Sequence, residues 1–389
     1  MASSAESAPR APTVAIVAGE ASGDLIGSEL ILALRELVPA LNVVGIGGPR
    51  MEAAGMEVWF PLEKLAVRGY FEVLKHYAEI VGIRRKLRRR LLASRPDVFI
   101  GIDAPDFNLG LEHSLKARGI PTVHYVSPAI WMWRRERLRK IKRAVTKMLV
   151  LFPFEEAIYR EAGIDVAFVG HPLADMLDRI ARDDAAREQL RLPRNAPVVA
   201  LLPGSRQSEL QYMADLFIQT AKLLHERLPQ AVFLVPLTTR ETRLMFQTAL
   251  YRNEAYDLPL TIMFGHAQEA MAAADVVLVA SGTATLEAAL LRKPMVITYK
   301  MPPATYRLLK GKGYLPYYGL PNILAGEFVV PELIQDDATP ENLNQVLINL
   351  LADVATRDRI ANKFGAMNAS LNRGAAREAA RAVLPLLPN

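Results

Sequence analysis

Short apolar runs of five or six residues recur along this chain. Between them lie longer stretches whose apolar positions fall three and four apart. The first pattern predicts buried strands, the second amphipathic helices. Strands are expected near 13–18, 42–46, 97–102, 121–126, 147–152 and 166–169, then near 198–202, 231–235, 260–264, 276–280 and 294–299. Helices fill the gaps, notably 23–37, 69–93, 208–228 and 283–293. Alternation of this kind implies an α/β protein with mainly parallel sheets. Residues 171–197 are polar and carry Pro172, Pro193 and Pro197, as an interdomain connection would. The expected organisation is a disordered tail at 1–12, domains at 13–170 and 198–365, and a C-terminal helix at 366–389 that packs back or is exchanged with a second copy. Two doubly wound domains of this size would face each other across a ligand cleft, with ligands beyond the carboxyl ends of the strands.

Composition narrows this frame. A chain of 389 residues, 51% hydrophobic, can fill two ordinary cores. It has no cysteine, which excludes disulfides, thiolate nucleophiles and cysteine-ligated metals and fits a reducing compartment. The first twelve residues lack the apolar region of a signal peptide. No run of 18 apolar residues is present, so no span of a bilayer is expected. Charge is uneven: residues 84–147 hold 17 Lys/Arg and 5 Asp/Glu, a net of +12 in a chain of net +6, leaving −6 for the remainder. That asymmetry points to an anionic partner: nucleic acid, phosphorylated lipid or an acidic membrane surface.

Candidate chemistry collects at strand ends. The run 276–280 meets Ser281-Gly282-Thr283, and a helix follows. Small residues let a ligand reach the backbone, and the first N–H groups of a helix attract phosphate. Glu287 lies one turn further on the same face and can accept hydrogen bonds from a ribose diol. The plainer reading is a tight turn with Thr283 as a cap. Three other loops have the same placement: Gly19–Asp24 with Glu20, Ser22 and Asp24; Asp103–Asn108; and Pro203-Gly204-Ser205-Arg206. In each, the bland alternative is a turn, or a helix cap by Ser22, Asp24, Asp103 or Asp106. Gly45–Arg50 resembles a dinucleotide fingerprint but has Arg50 at the third glycine position. A P-loop, a G-x-S-x-G elbow and metal-ligand histidine spacings are all missing. His171 before Pro172 reads as a hinge residue. A phosphate cradle, a cationic Arg206, a ribose-type Glu287 and carboxylates on the other domain are the equipment for displacing a nucleoside diphosphate from a sugar.

A lipid-facing trace accompanies them. Residues 65–83 are apolar and aromatic, with Val67, Phe71 and Leu74, and Arg84–Arg90 follow with Arg88 and Arg89 among them. Such a pairing suits the surface of an anionic membrane. A core-facing helix with a solvated far side is the alternative. Trp131 and Trp133 read equally as interface anchors or as packed loop residues.

Six motifs carry a resemblance: Val-Ala-Gly-Glu-Ala-Ser-Gly-Asp (17–24), Gly-Ile-Asp-Ala-Pro-Asp-Phe-Asn (101–108), His-Tyr-Val-Ser-Pro-Ala-Ile-Trp-Met-Trp (124–133), Leu-Leu-Pro-Gly-Ser-Arg (201–206), Ala-Ser-Gly-Thr-Ala-Thr-Leu-Glu (280–287) and Leu-Pro-Asn-Ile-Leu-Ala-Gly (320–326). With them the chain resembles the lipid-A-disaccharide synthases, glycosyltransferases of the two-domain GT-B type. The resemblance implies an inverting transfer from UDP-2,3-diacylglucosamine to 2,3-diacylglucosamine 1-phosphate. It implies Asp103 as general base, Glu20 and Asp24 near the acceptor, Gly204, Ser205, Arg206, Ser281, Gly282, Thr283 and Asn322 at the diphosphate, and Glu287 at the ribose. It implies an acceptor- and membrane-binding first domain and a nucleotide-sugar-binding second one. No metal or other cofactor and no nucleic acid is implied. The placement implied is peripheral, on the inner face of the cytoplasmic membrane, and some members form homodimers. Two other readings fit the same residues: a UDP-sugar epimerase of this architecture, and a non-catalytic nucleotide- or membrane-binding module.

Overall fold

The computed structural model describes residues 10–65, 70–133, 135–178, 180, 183–309 and 314–388, and side chains in these ranges except 70–77, 133, 183, 304, 308 and 309. The chain divides into two compact units, residues 1–172 with 372–389, and residues 173–371. Each is a parallel sheet between helices. The first sheet holds β1 (Thr13–Ala18), β2 (Asn42–Gly47), β3 (Glu57–Pro61), β4 (Val98–Ile102), β5 (Thr122–Tyr125), β6 (Lys147–Val150) and β7 (Asp165–Phe168), in the order β3-β2-β1-β4-β5-β6-β7. The second holds β8 (Val198–Leu202), β9 (Val232–Leu237), β10 (Leu260–Phe264), β11 (Val276–Ala280), β12 (Met295–Tyr299) and β13 (Glu332–Ile334), in the order β10-β9-β8-β11-β12-β13.

The central strands are apolar without interruption because helices cover both of their faces. Ala15 and Val17 of β1 and Phe99 of β4 pack on Ile83, Leu87 and Leu91 and on Phe107, Leu111 and Leu115. Burial of each large side chain of this kind contributes roughly 1.5–3 kcal/mol. A second cluster under β6 joins Met148 and Val150 to Ile141, Tyr159 and Ile164. β3 and β13 were not foreseen. Both are partly exposed edge strands: β13 spans three residues, and in β3 the apolar Val58-Trp59-Phe60 is bounded at once by Glu57 and Pro61.

Strand order reverses once in each sheet, between β1 and β4 and between β8 and β11. At such a point adjacent loops leave in opposite directions and open a crevice at the carboxyl ends. The four candidate loops follow these four strands. Residues 173–197, expected as a connection, belong to the second unit: Arg187 of the helix Asp183–Gln189 pairs with Asp275 at 2.7 Å. At the other end, helix Val354–Leu371 closes the second unit. Helix Ala375–Val383 returns to the first and packs on helix Ala21–Leu37, where Arg377 meets Glu36 at 3.3 Å.

Candidate active site

In the first unit Ala18 of β1 lies opposite Ile102 of β4, so the loops after them start side by side. A Cβ on Gly19 would stand 2.6 Å from that of Ala104, so this close approach needs glycine. Helix Ala21–Leu37 begins two residues earlier than expected, with Glu20 as its extended N-cap residue and the Glu20 side chain exposed. Ser22 and Asp24 therefore lie inside the helix and do not cap it. Asp103 is half-buried, donates its N–H to Tyr125 O at 2.9 Å and has a left-handed backbone at φ 50°. Asp106 points outward and meets Arg137 at 3.3 Å.

Asp24 is engaged within its own unit. It is buried, and its Oδ1 accepts from Gly48 and Met51 N–H at 2.8 and 3.1 Å while Oδ2 accepts from Arg50 N–H at 3.1 Å. Three main-chain donors absorb a carboxylate that the motif placed near the acceptor. The same bonds explain Gly45–Arg50. The amides that a dinucleotide phosphate would need are already filled by Asp24, so the fingerprint-like glycines serve packing.

In the second unit the turn after β8 is organised by a residue not foreseen. Glu209 Oε2 accepts from the N–H groups of Ser205 and Arg206 at 3.0 and 3.2 Å. Its position three residues after the helix N-cap was the available signal. With these amides filled, the Gly204–Arg206 turn can offer a ligand the exposed Arg206 guanidinium, which lies 3.7 Å from Glu209 Oε1.

Beside it, β11 leads into helix Thr283–Leu290, whose N-cap is Gly282. Thr283 is thus the first helical residue rather than the cap, and no side chain caps this end. The first amides of such a helix have no intrahelical acceptor and carry the positive end of its dipole. Ser281 Oγ donates to Tyr318 O at 3.2 Å. Glu287, half-buried, has its carboxyl pushed upward by burial, against the Gln268 amide that donates to Oε2 at 3.1 Å. Gln268 was not foreseen either: it sits on another helix, 19 residues away in sequence.

Asn322 is engaged in the same way. It is wholly buried. Its Oδ1 accepts from Val329 and Val330 N–H at 2.8 and 3.1 Å, and its Nδ2 donates to Val330 O at 2.9 Å and to Glu332 Oε1 at 2.8 Å. Glu332 in turn accepts from Tyr318 and Gly319 N–H, both at 2.8 Å. The motif asparagine therefore braces the 318–332 loop.

Of the lipid-facing candidates, Val67 lies outside the described residues. Phe71 and Leu74 fall on helix Tyr70–Ser94, with their side chains outside the description. Arg88 and Arg89 are exposed on that helix, while Ile83, Leu87 and Leu91 face the core. Trp131 is packed: it is buried against Phe154 and donates from Nε1 to Glu155 at 3.1 Å. Among the described residues no helix is long and apolar enough to cross a membrane.

Residues 14–384 match the protein family described as lipid-A-disaccharide synthetase. The chain belongs to that family. It is 58% identical over 376 residues to the lipid-A-disaccharide synthase of Methylobacillus flagellatus, covering 97% of this chain and 100% of the relative. With that of Dechloromonas aromatica it shares 56% over 375 residues, covering 96% and 98%. Among solved structures, Acinetobacter baumannii MurG superposes with a TM-score of 0.57 at 14% identity, covering 96% and 99%. A UDP-GlcNAc 2-epimerase from Neisseria meningitidis gives 0.61 at 13%, with the same coverage. At such identities the likeness is one of fold, and the fold is GT-B-like. As a lipid-A-disaccharide synthetase family member the protein is a glycosyltransferase of lipid A biosynthesis, and the epimerase reading is not favoured.

Proposed function

We propose that the second unit binds the UDP part of a diacylglucosamine donor and that the first unit supplies the base for the acceptor, 2,3-diacylglucosamine 1-phosphate. One observation carries this reading. In each sheet the candidate loops flank the point where strand order reverses, where α/β sheets bind ligands. The open amino end of helix Thr283–Leu290, with Ser281–Thr283, holds the diphosphate, Arg206 adds a positive charge, and Glu287 accepts from the ribose hydroxyls. Asp103 takes the proton of the acceptor 6-hydroxyl. That oxygen attacks the anomeric carbon as the bond to UDP breaks. The α-linked donor becomes a β-1,6 product in one inversion. Charge on the departing UDP is met by groups already in place. Glu20, exposed at the neighbouring strand end, faces the acceptor's side of this chemistry, whereas Asp24 and Asn322 act by holding loops.

The membrane reading belongs here too. The stripe at 65–83 and the exposed Arg88 and Arg89 suit an anionic lipid surface, where the acylated substrates reside. The test of the reaction is incubation of the protein with both acylated sugars and mass spectrometry of the products. Disaccharide 1-phosphate and UDP in equal amounts are expected. UDP without disaccharide, or neither product, would overturn the assignment.

A further inference from the structure

The turn that carries Asp103 is strained. Asp103 and Ala104 are consecutive left-handed residues, at φ 50° and 44°, and neither is glycine. Such backbone is costly and persists where the surroundings over-determine it. Main-chain bonds from Asp103 N–H to Tyr125 O at 2.9 Å and from Phe107 N–H to Ala104 O at 2.9 Å hold part of it, and the side chain of Asn108 adds to them. It is wholly buried, one turn into helix Pro105–Lys116. Its Nδ2 donates to Asp103 O at 2.8 Å and lies 3.4 Å from Ile102 O and 3.5 Å from Val17 O. One amide thus gathers carbonyls from β1, from β4 and from the turn between β4 and its helix. Asparagine is a weak helix former, and here its side chain turns back to the strand ends. Room for it comes from Gly101. A Cβ there would stand 2.9 Å from Asn108 Cβ and 2.2 Å from Glu112 Oε1. Glu112 is itself fixed by His124 Nδ1 at 2.7 Å, with both side chains fully buried.

We propose that Asn108 is a positioning residue for the transfer: its amide pins the left-handed turn so that the Asp103 carboxylate meets the acceptor hydroxyl in one orientation. The proposal rests on Asp103 as the base. Released from Asn108, residues 103 and 104 relax toward right-handed backbone, and the carboxylate swings with them. Catalysis then suffers in the chemical step, while the donor site, built on the other sheet, is untouched.

The experiment compares initial rates, KM values, UDP affinity and melting temperature for the full chain and five variants: Asp103→Asn, Asn108→Ala, Ala104→Gly, Asn108→Ala with Ala104→Gly, and Asn108→Ala with Asp103→Asn. In Asn108→Ala, kcat is expected to fall roughly 10- to 100-fold, the scale of a displaced catalytic group. KM and UDP affinity should stay within about twofold. Ala104→Gly in that background should restore part of kcat, because glycine holds left-handed backbone without a pin. On top of Asp103→Asn, the loss of Asn108 should cost no more than about twofold, since the pinned group is already disabled. Wild-type kcat in Asn108→Ala, a fully additive loss, or no rescue by Ala104→Gly would each overturn the positioning role. Wild-type turnover in Asp103→Asn would instead remove the base assignment. Where the alanine variant does not fold, Asn108→Ser replaces it; its hydroxyl can bond one turn back to Ala104 O but does not reach Asp103 O, and the same kcat pattern is expected.

Discussion

Asp24 and Asp103 stand at neighbouring strand ends, yet their carboxylates are used differently. Asp24 gives both oxygens to three backbone N–H groups, while Asp103 joins its turn through main-chain N–H and C=O. Substitution should separate the two roles. Asp103→Asn keeps the size of the side chain and removes the proposed base, so turnover should fall ~10²-fold or more. Calorimetry should find UDP affinity nearly unchanged; near-normal turnover would move the role to Glu20. Asp24→Ala should act on folding instead. It strands buried donors at roughly 1–3 kcal/mol, so a lower melting temperature is expected, with near-normal kcat in the folded fraction. On the donor side, Arg206→Ala and Glu287→Ala should each weaken UDP binding by roughly 1–3 kcal/mol, the loss of a charge-assisted hydrogen bond. Unchanged affinity in both would place the nucleotide elsewhere.

At the scale of elements, the ends of β6 and β7 hold two buried titratable groups whose pH preferences oppose each other. Burial pushes Glu155 up to about 7 from an ordinary 4.5, against donors from Phe152, Ser127 and Trp131. Burial pushes His171 down to about 4 from 6.5, where its ring packs 5.4 Å from Phe152. A carboxyl with a raised folded pKa binds protons that the unfolded chain has released, so its contribution is full below 4.5 and is lost as pH rises through 7. A histidine with a lowered folded pKa works the other way, and its contribution is lost as pH falls below 6.5 toward 4. Between pH 4.5 and 6.5 the two opposing slopes cancel, so these groups give the first unit a flat stability maximum on the acid side of neutrality, with a fall toward 7 and another below 4.5. Between pH 5 and 7 Glu155→Gln should uncover a melting temperature that rises with pH up to 6.5, and His171→Phe one that falls toward 7. Profiles parallel to wild type in both variants would show that neither group titrates in that window. These element ends also show what was legible in the chain. β1, β8, β10 and β11 fall on the expected residues because each is an apolar run bounded by small or polar ones. β3 and β13 did not show: β13 is three residues long, and in β3 only Val58, Trp59 and Phe60 stand between Glu57 and Pro61.

Over the whole molecule, local chemistry was readable and commitment was not. Ser281–Thr283 and Glu287 are picked out as candidates by their spacing across a strand end and the helix after it, and Arg206 by its turn. That Asp24 accepts from main-chain donors 24 to 27 residues away, and that Asn322 bonds main-chain groups and the Glu332 carboxylate 7 to 10 residues away, is revealed by nothing in their types. Charge is the clearest whole-chain signal. The net +12 of residues 84–147 includes Arg88 and Arg89, both exposed, whereas Arg90 is held at 3.1 Å by Glu57 and lies over Trp59 at 4.0 Å. Arg88 and Arg89 are thus better placed than Arg90 to meet an external anion. Attraction between exposed charges is screened over about 10 Å at 0.1 M salt, so binding to anionic vesicles should weaken as salt rises. In the proposed membrane reading it should not vanish, because insertion of the 65–83 stripe would be an apolar contribution that salt leaves intact. Reversing charge with Arg88→Glu and Arg89→Glu should remove most of the salt-sensitive part and leave binding to neutral vesicles as it was. Neither position touches the core, so melting temperature should hold within the variation of surface changes. Equal binding of the unaltered chain to neutral and anionic vesicles at low salt would show that this charge serves another anion. The acceptor's 1-phosphate is then the candidate. Activity in detergent on an acceptor lacking that phosphate, with and without the two substitutions, decides it: a rate penalty from the substitutions that disappears with the phosphate assigns these arginines to the substrate.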